Sequence, residues 1–212
     1  MSEQKTGLPP WRDCDKDWNT EFEKYLEENK TLAYMVLKKI APLYKDATAL
    51  TQKNIHGSWE SLTWTEFAEK ITAVAKSLID MGIKKGDMCS VFSRNCSEWA
   101  ISDLGILATR AVSVPIYATN SREEAEYIIN DAEVKVVFAG DQEQYNKAAQ
   151  IITKNKFLKY IVAMQDNITI KGKQSVYLSK LIENGRALKN DKEFEKRINN
   201  VSPEDMVTII YT

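Results

Sequence analysis

The chain has 212 residues, of which 43% are hydrophobic and 28% charged, with a formal net charge of −1. That size supports a proper hydrophobic core in one domain or a domain and a half, and the balanced charge excludes a global field that would draw in nucleic acid or an anionic membrane. There is no secretory signal core and no run near the ~18 apolar residues of a membrane span. The three cysteines have no metal-ligand spacing and fit a reducing compartment, so a soluble cytoplasmic protein is expected.

Residues 1–30 form a polar, acidic arm, with eight acids against five bases and with Trp11 and Trp18 set among the charges. Pro9-Pro10 keeps its start extended. The arm is expected to wrap the domain and pin itself by its aromatics, or else to hold a partner. Thr31 to Leu43 has the 3–4 spacing of a helix, with Pro42 near its end. Ala47 to Thr51 and Trp59 to Trp64 read as a hairpin around Asn54 to Ser58, either an antiparallel edge of the main sheet or a separate ribbon.

Thr63-Trp64-Thr65-Glu66 is a capping box. The helix after it carries Phe67, Ile71, Val74, Leu78 and Met81 on one stripe, and Gly82 supplies a left-handed stop. Met88 to Phe92 is an apolar strand without alternation, as expected when both faces are covered. The next helix starts at Asn95 or Ser97, with Asn95 and Glu98 in capping spacing. It is apolar nearly all round, and Gly105 in its middle implies close packing. Ala111 to Ile116 returns as a strand, with Pro115 near its end.

The pattern repeats. Ser121 to Glu124 is another capping box, Val134 to Ala139 a strand, and Asp141 caps a further helix. Tyr160 to Met164 is a strand and Val176 to Leu188 a helix. One or two more turns fall in Lys192 to Asn199. Ser202-Pro203 has the composition of a helix start. Met206 to Tyr211 reads as an apolar strand. Strands and helices alternating at this spacing predict an α/β fold, a doubly wound, mostly parallel sheet with flanking helices plus a small N-terminal hairpin.

Chemistry is sparse. The chain has no GxGxxG, GxxxxGK(S/T), HExxH or GxSxG pattern. His56, the single histidine, reads as a turn residue. Cys89 reads as a small core residue. Glu123, Glu124 and Glu126 complement a helix dipole. Asp103 either shares a narrow solvent strip with Ser102 or pairs with a base such as Arg110. Because α/β sheets bind ligands at the carboxyl ends of their strands, Arg94, Asn95, Tyr117, Thr119 and Asn120 form a candidate rim, unless they only cap loops. Residues 141–200 hold 12 bases against seven acids, read as solvated helix faces or as a weakly basic flank near an anionic ligand.

Several of these stretches together resemble the adenylate-forming superfamily of acyl-CoA synthetases, luciferases and peptide-synthetase adenylation domains. The match lies in Thr63-Trp64, Leu78 to Asp87, Asn95 with Glu98-Trp99, Ala111 to Pro115, and Ser121 to Glu124. Ile209-Ile210-Tyr211-Thr212 is similar to the strand that enters the family's phosphate loop. The Asn95 to Trp99 form and the acidic arm look most like long-chain fatty-acid–CoA ligases. The resemblance implies that residues 31–212 are the N-terminal α/β subdomain of the adenylating domain, cut at the start of the phosphate loop and inactive alone. The whole enzyme would use fatty acid, ATP with Mg²⁺, and CoA. Thr212 would open the loop near the ATP phosphates and Mg²⁺, and no catalytic residue would fall in this chain. Peripheral membrane contact and a homodimer stay open. So do a ligase for another carboxylate and a non-catalytic nucleotide-binding or interaction module.

Overall fold

The computed structural model describes Phe22, Lys24, Tyr25, Glu27, Glu28, residues 30–54 and residues 57–212. Trp11, Cys14, Trp18 and His56 lie outside the described residues, and with them the readings of the arm and of the hairpin turn.

Thr31 caps helix α1, its Oγ1 accepting from the Tyr34 N–H at 3.4 Å. The helix is α over Leu32–Met35, widens to a π turn over Val36–Ile40, and returns to α over Ala41–Tyr44. Pro42 accounts for the widening: it has no N–H to donate one turn back, and its ring crowds the carbonyl there. Ala41 accordingly donates to the Val36 carbonyl, five residues back. Strands β1 (Thr48–Lys53) and β2 (Trp59–Thr63) pair antiparallel as a two-stranded ribbon separate from the main sheet.

Helix α2 (Trp64–Asp80) opens on the expected capping box. Thr63 Oγ1 accepts from the Glu66 N–H at 3.2 Å, and the Thr63 N–H donates to Glu66 Oε2 at 2.8 Å. Its stripe of Phe67, Ile71, Val74 and Leu78 is buried. Gly82 follows in the left-handed region at φ +86°, as a helix stop requires.

The main sheet is six-stranded and wholly parallel: β3 (Met88–Ser93), β4 (Val112–Ser113), β5 (Ile116–Tyr117), β6 (Val136–Ala139), β7 (Tyr160–Ala163) and β8 (Ser175–Tyr177). The order is β4–β3–β6–β7–β8, with β5 resuming the partnership with β3. Helices α3 (Ser97–Ala108), α6 (Leu178–Ala187) and α7 (Asp191–Asn199) join α1 and α2 in one core. Helices α4 (Arg122–Asp131) and α5 (Gln142–Ile151) build the other. The strands divide strictly between the two: Val136 and Phe138 enter the first core, Val137 and Ala139 the second. Both faces are thus covered, which is why the strands carry no polar alternation.

Four local expectations change. The strand expected over Ala111 to Ile116 is split into β4 and β5, with Val114 and Pro115 between them and no N–H on Pro115 for the ladder. The helix expected from Val176 begins at Leu178, because Ser175–Tyr177 is drawn into the sheet beside β7. Ser202 to Asp205 is a turn closed by the Asp205 N–H on the Ser202 carbonyl at 3.0 Å, not a helix start. The strand expected over Met206 to Tyr211 is reduced to a single parallel bridge, Ser113 to Thr208. A two-residue β4 offers only one ladder step: Ser113 N–H to the Val207 carbonyl at 2.9 Å, and Ile209 N–H to the Ser113 carbonyl at 3.0 Å. None of the described helices is long and apolar enough to cross a membrane.

Candidate functional site

The carboxyl edge of the parallel sheet carries the candidate rim. The strand order reverses at β3, with β4 and β5 on one side and β6 on the other, so the crevice between β3 and β6 is where an open α/β sheet takes a ligand. At its base the two strand ends are tightly packed. Gly140, just past β6, lies so close to Ser93 that a Cβ at Gly140 would overlap the Ser93 hydroxyl. The neighbouring loop after β5 is pinned from α5. Gln144 Nε2 donates to the Ala118 carbonyl at 3.1 Å, and Lys147 Nζ to the Asn120 carbonyl at 2.9 Å. Lys147 also stands 5.8 Å from the centre of the Phe92 ring.

Arg94, Asn95, Tyr117 and Thr119 are exposed, and their side chains make no hydrogen bond or ion pair among the described residues. Tyr117 pairs in register with Ser93, which places Arg94 and Tyr117 on adjacent strand ends. Helix α3 starts at Ser97, and its cap is Cys96 rather than Asn95. The Cys96 sulfur accepts from the Trp99 N–H at 3.4 Å. Glu98, expected to reach back to Asn95, instead meets Gln52 of the ribbon. Gln52 Nε2 donates to both Glu98 oxygens at 3.2 Å, while its Oε1 accepts from the Ser97 N–H at 2.7 Å. Asn95 is thereby left outside the helix, as a loop residue.

Thr212 is exposed at the end of the segment beside β4. β4 stands between that segment and β3, so the segment enters on the far side of β4 from the Arg94–Asn95 turn. Ile209 and Tyr211 pack on the α4–α5 core, whereas Thr208 and Ile210 line a cleft of about 440 Å³ on the α3 side. Trp99, Asp103, Ser113 and Pro115 form the cleft's inner wall. Burial pushes the Asp103 carboxyl above its ordinary pKa.

Both readings of Asp103 change. Ser102 is fully buried, with a hydroxyl that has no partner among the described residues, so there is no shared solvent strip. Arg110 turns away to Asp205, with Nε to Oδ2 at 2.8 Å and Nη2 to Oδ1 at 2.9 Å. That pair and the Gln52 bridge are among the interactions that the sequence concealed, since their partners are 95 and 45 residues apart. Cys89 is fully buried in the first core and its thiol is pushed up by burial, which suits a packing role. Among the described residues no group of three or more His, Cys, Asp or Glu could hold a metal ion. A lone Thr212 hydroxyl does not make a Mg²⁺ site.

Comparison with known proteins puts this geometry in context. Residues 37–212 match the AMP-binding enzyme family. A long-chain-fatty-acid–CoA ligase of Mycobacterium bovis is 34% identical over 161 residues, covering 76% of this chain and 26% of the relative. One of Homo sapiens is 30% identical over 166 residues, covering 77% and 24%. The chain thus spans about a quarter of the length of these relatives. The crystal structure of an anthranilate CoA ligase with anthranoyl-AMP superposes with a TM-score of 0.62 at 21% identity, over 71% of this chain and 27% of that one. This likeness concerns the fold.

Proposed function

Because this chain belongs to the AMP-binding enzyme family, we propose that it is the N-terminal α/β portion of a long-chain-fatty-acid–CoA ligase. The complete protein would join a fatty-acid carboxylate to the α-phosphorus of ATP with loss of diphosphate. The sulfur of CoA would then take the acyl group and release AMP. The observation that carries the reading is 34% identity to such a ligase across three-quarters of the chain. In this scheme the described region is a scaffold. Its sheet carries Thr212 toward the carboxyl edge, as the first residue of a phosphate-binding loop, where backbone N–H groups and a hydroxyl can meet ATP oxygens. Arg94 and Asn95 are rim residues, free to meet an anionic group that approaches the edge. The residues present do not fit a Mg²⁺ site, so no step is assigned to the ion here. A cytoplasmic location belongs to the same proposal and accords with the unpaired Cys89 and Cys96.

Fatty-acid-dependent exchange of labelled diphosphate into ATP by the complete protein tests the reading, with exchange expected for long-chain acids and weaker exchange for acetate or aryl acids. Exchange driven only by an aryl or amino acid would move the assignment to another carboxylate. Titration of residues 1–212 alone with ATP is expected to show nothing tighter than about millimolar. Micromolar binding would instead support a self-sufficient nucleotide-binding module.

A further inference from the structure

Tyr211 is held by its side chain. Its phenol donates to Asp131 Oδ2 at 2.6 Å, and its ring meets Tyr127 edge-on with centroids 6.2 Å apart. Both partners lie on α4, so the contact ties the end of the chain to a helix 80 residues earlier. The backbone does less. The last ladder bond comes from Ile209, and Thr208 is the only residue of the segment in bridge register. Val207 and Thr208 both line the α3 cleft, but from Thr208 onward the segment alternates like a strand, with Ile209 and Tyr211 on the α4 side and Thr208 and Ile210 toward the cleft. A strand anchored at one step is free to turn or slip, and a slip of one residue exchanges its two faces.

We propose that Asp131 is a positioning residue: by holding the Tyr211 phenol it fixes which face of the segment meets α4, and so aims Thr212 to the opposite side, toward the ATP phosphates. This rests on reading Thr212 as the first residue of the phosphate loop. Desolvation and the neighbouring Asp131 carboxylate hold the phenol's pKa up to about 12, so it remains a donor through any working pH. The contact is solvent-exposed, and its effect is correspondingly modest.

The test is steady-state ATP–diphosphate exchange in the complete protein with a long-chain fatty acid. Asp131→Ala and Tyr211→Phe should each raise KM for ATP about three- to fivefold, with kcat changed less than about twofold. Asp131→Asn keeps an acceptor and should recover most of the loss. An unchanged KM in both variants, while Thr212→Ala weakens ATP use, overturns the role of Asp131 and leaves the phosphate-loop reading intact. ATP use indifferent to Thr212→Ala overturns that reading and the proposal with it. A raised KM that Asp131→Asn does not recover reports a general loss of packing and also overturns the proposal.

Discussion

Arg110 and Asp205 form a two-point ion pair across 95 residues, with side chains only 16% and 10% exposed. Lys85 adds a third contact at 2.8 Å to Asp205 Oδ1. The pair fastens the turn that launches the last segment onto the loop between α3 and β4. The Arg110 guanidinium holds the Asp205 carboxyl well below the usual carboxylate range. A carboxyl depressed on folding stabilises the native state above its unfolded pKa of about 4, and that contribution drains away as pH falls further. Urea midpoints should therefore drop between about pH 4 and pH 2 in the parent, with Asp205→Asn showing a flatter profile there. At neutral pH Asp205→Ala should cost about 3 kcal/mol, because it leaves Arg110 largely buried without its partner.

Gly105 faces α2. A Cβ there would come 2.5 Å from Val74 Cγ1, closer than any real contact allows. Alanine gains up to about 1 kcal/mol of helix propensity, yet Gly105→Ala should lower stability by about 1–3 kcal/mol through overpacking. Val74→Ala in the same chain should recover part of the loss, and additive effects in a double-mutant cycle would rule out the contact as the cause.

Cys96 caps α3 with sulfur, a weak acceptor, at 3.4 Å from the Trp99 N–H. Serine is among the preferred caps, so Cys96→Ser should raise stability by about 0.5–1 kcal/mol in thermal unfolding. A loss of stability would mean that the thiol's packing outweighs its capping.

Gln52 joins the ribbon to the start of α3 through Ser97 and Glu98. Gln52→Ala should cost about 1 kcal/mol and Gln52→Glu more, since a second carboxylate would face Glu98. Hydrogen exchange should show the loss concentrated in β1, β2 and the first turn of α3. Uniform exchange over the whole chain would refute this bridging role.

The capping boxes at Thr63 and Ser121, the helix stop at Gly82 and the two-sided burial of the strands were all legible, because each is set by residues within one turn or by side-chain period. Strand β8 was not. Ser175–Tyr177 is three residues long, and its state depends on β7 lying alongside, so its own pattern merges with the helix that follows. The reduction of Met206 to Tyr211 to one bridge likewise follows from the shortness of β4, not from anything in the segment. Of the site, the sequence marked Arg94 and Asn95 through their place after a strand, and Thr212 only through its resemblance to the family's phosphate-loop strand. It could not show that Gly140 packs directly against Ser93.

By itself the sequence determined a doubly wound α/β layer, since spacing, caps and apolar runs act over a few residues and survive any arrangement of the rest. Only the tertiary structure decided which polar groups meet: Arg110 with Asp205 rather than Asp103, Gln52 with the α3 terminus, and Tyr211 with Asp131. A charged or hydroxyl group pairs with whatever the folded sheet brings within about 3 Å, and that choice leaves no periodic trace along the chain.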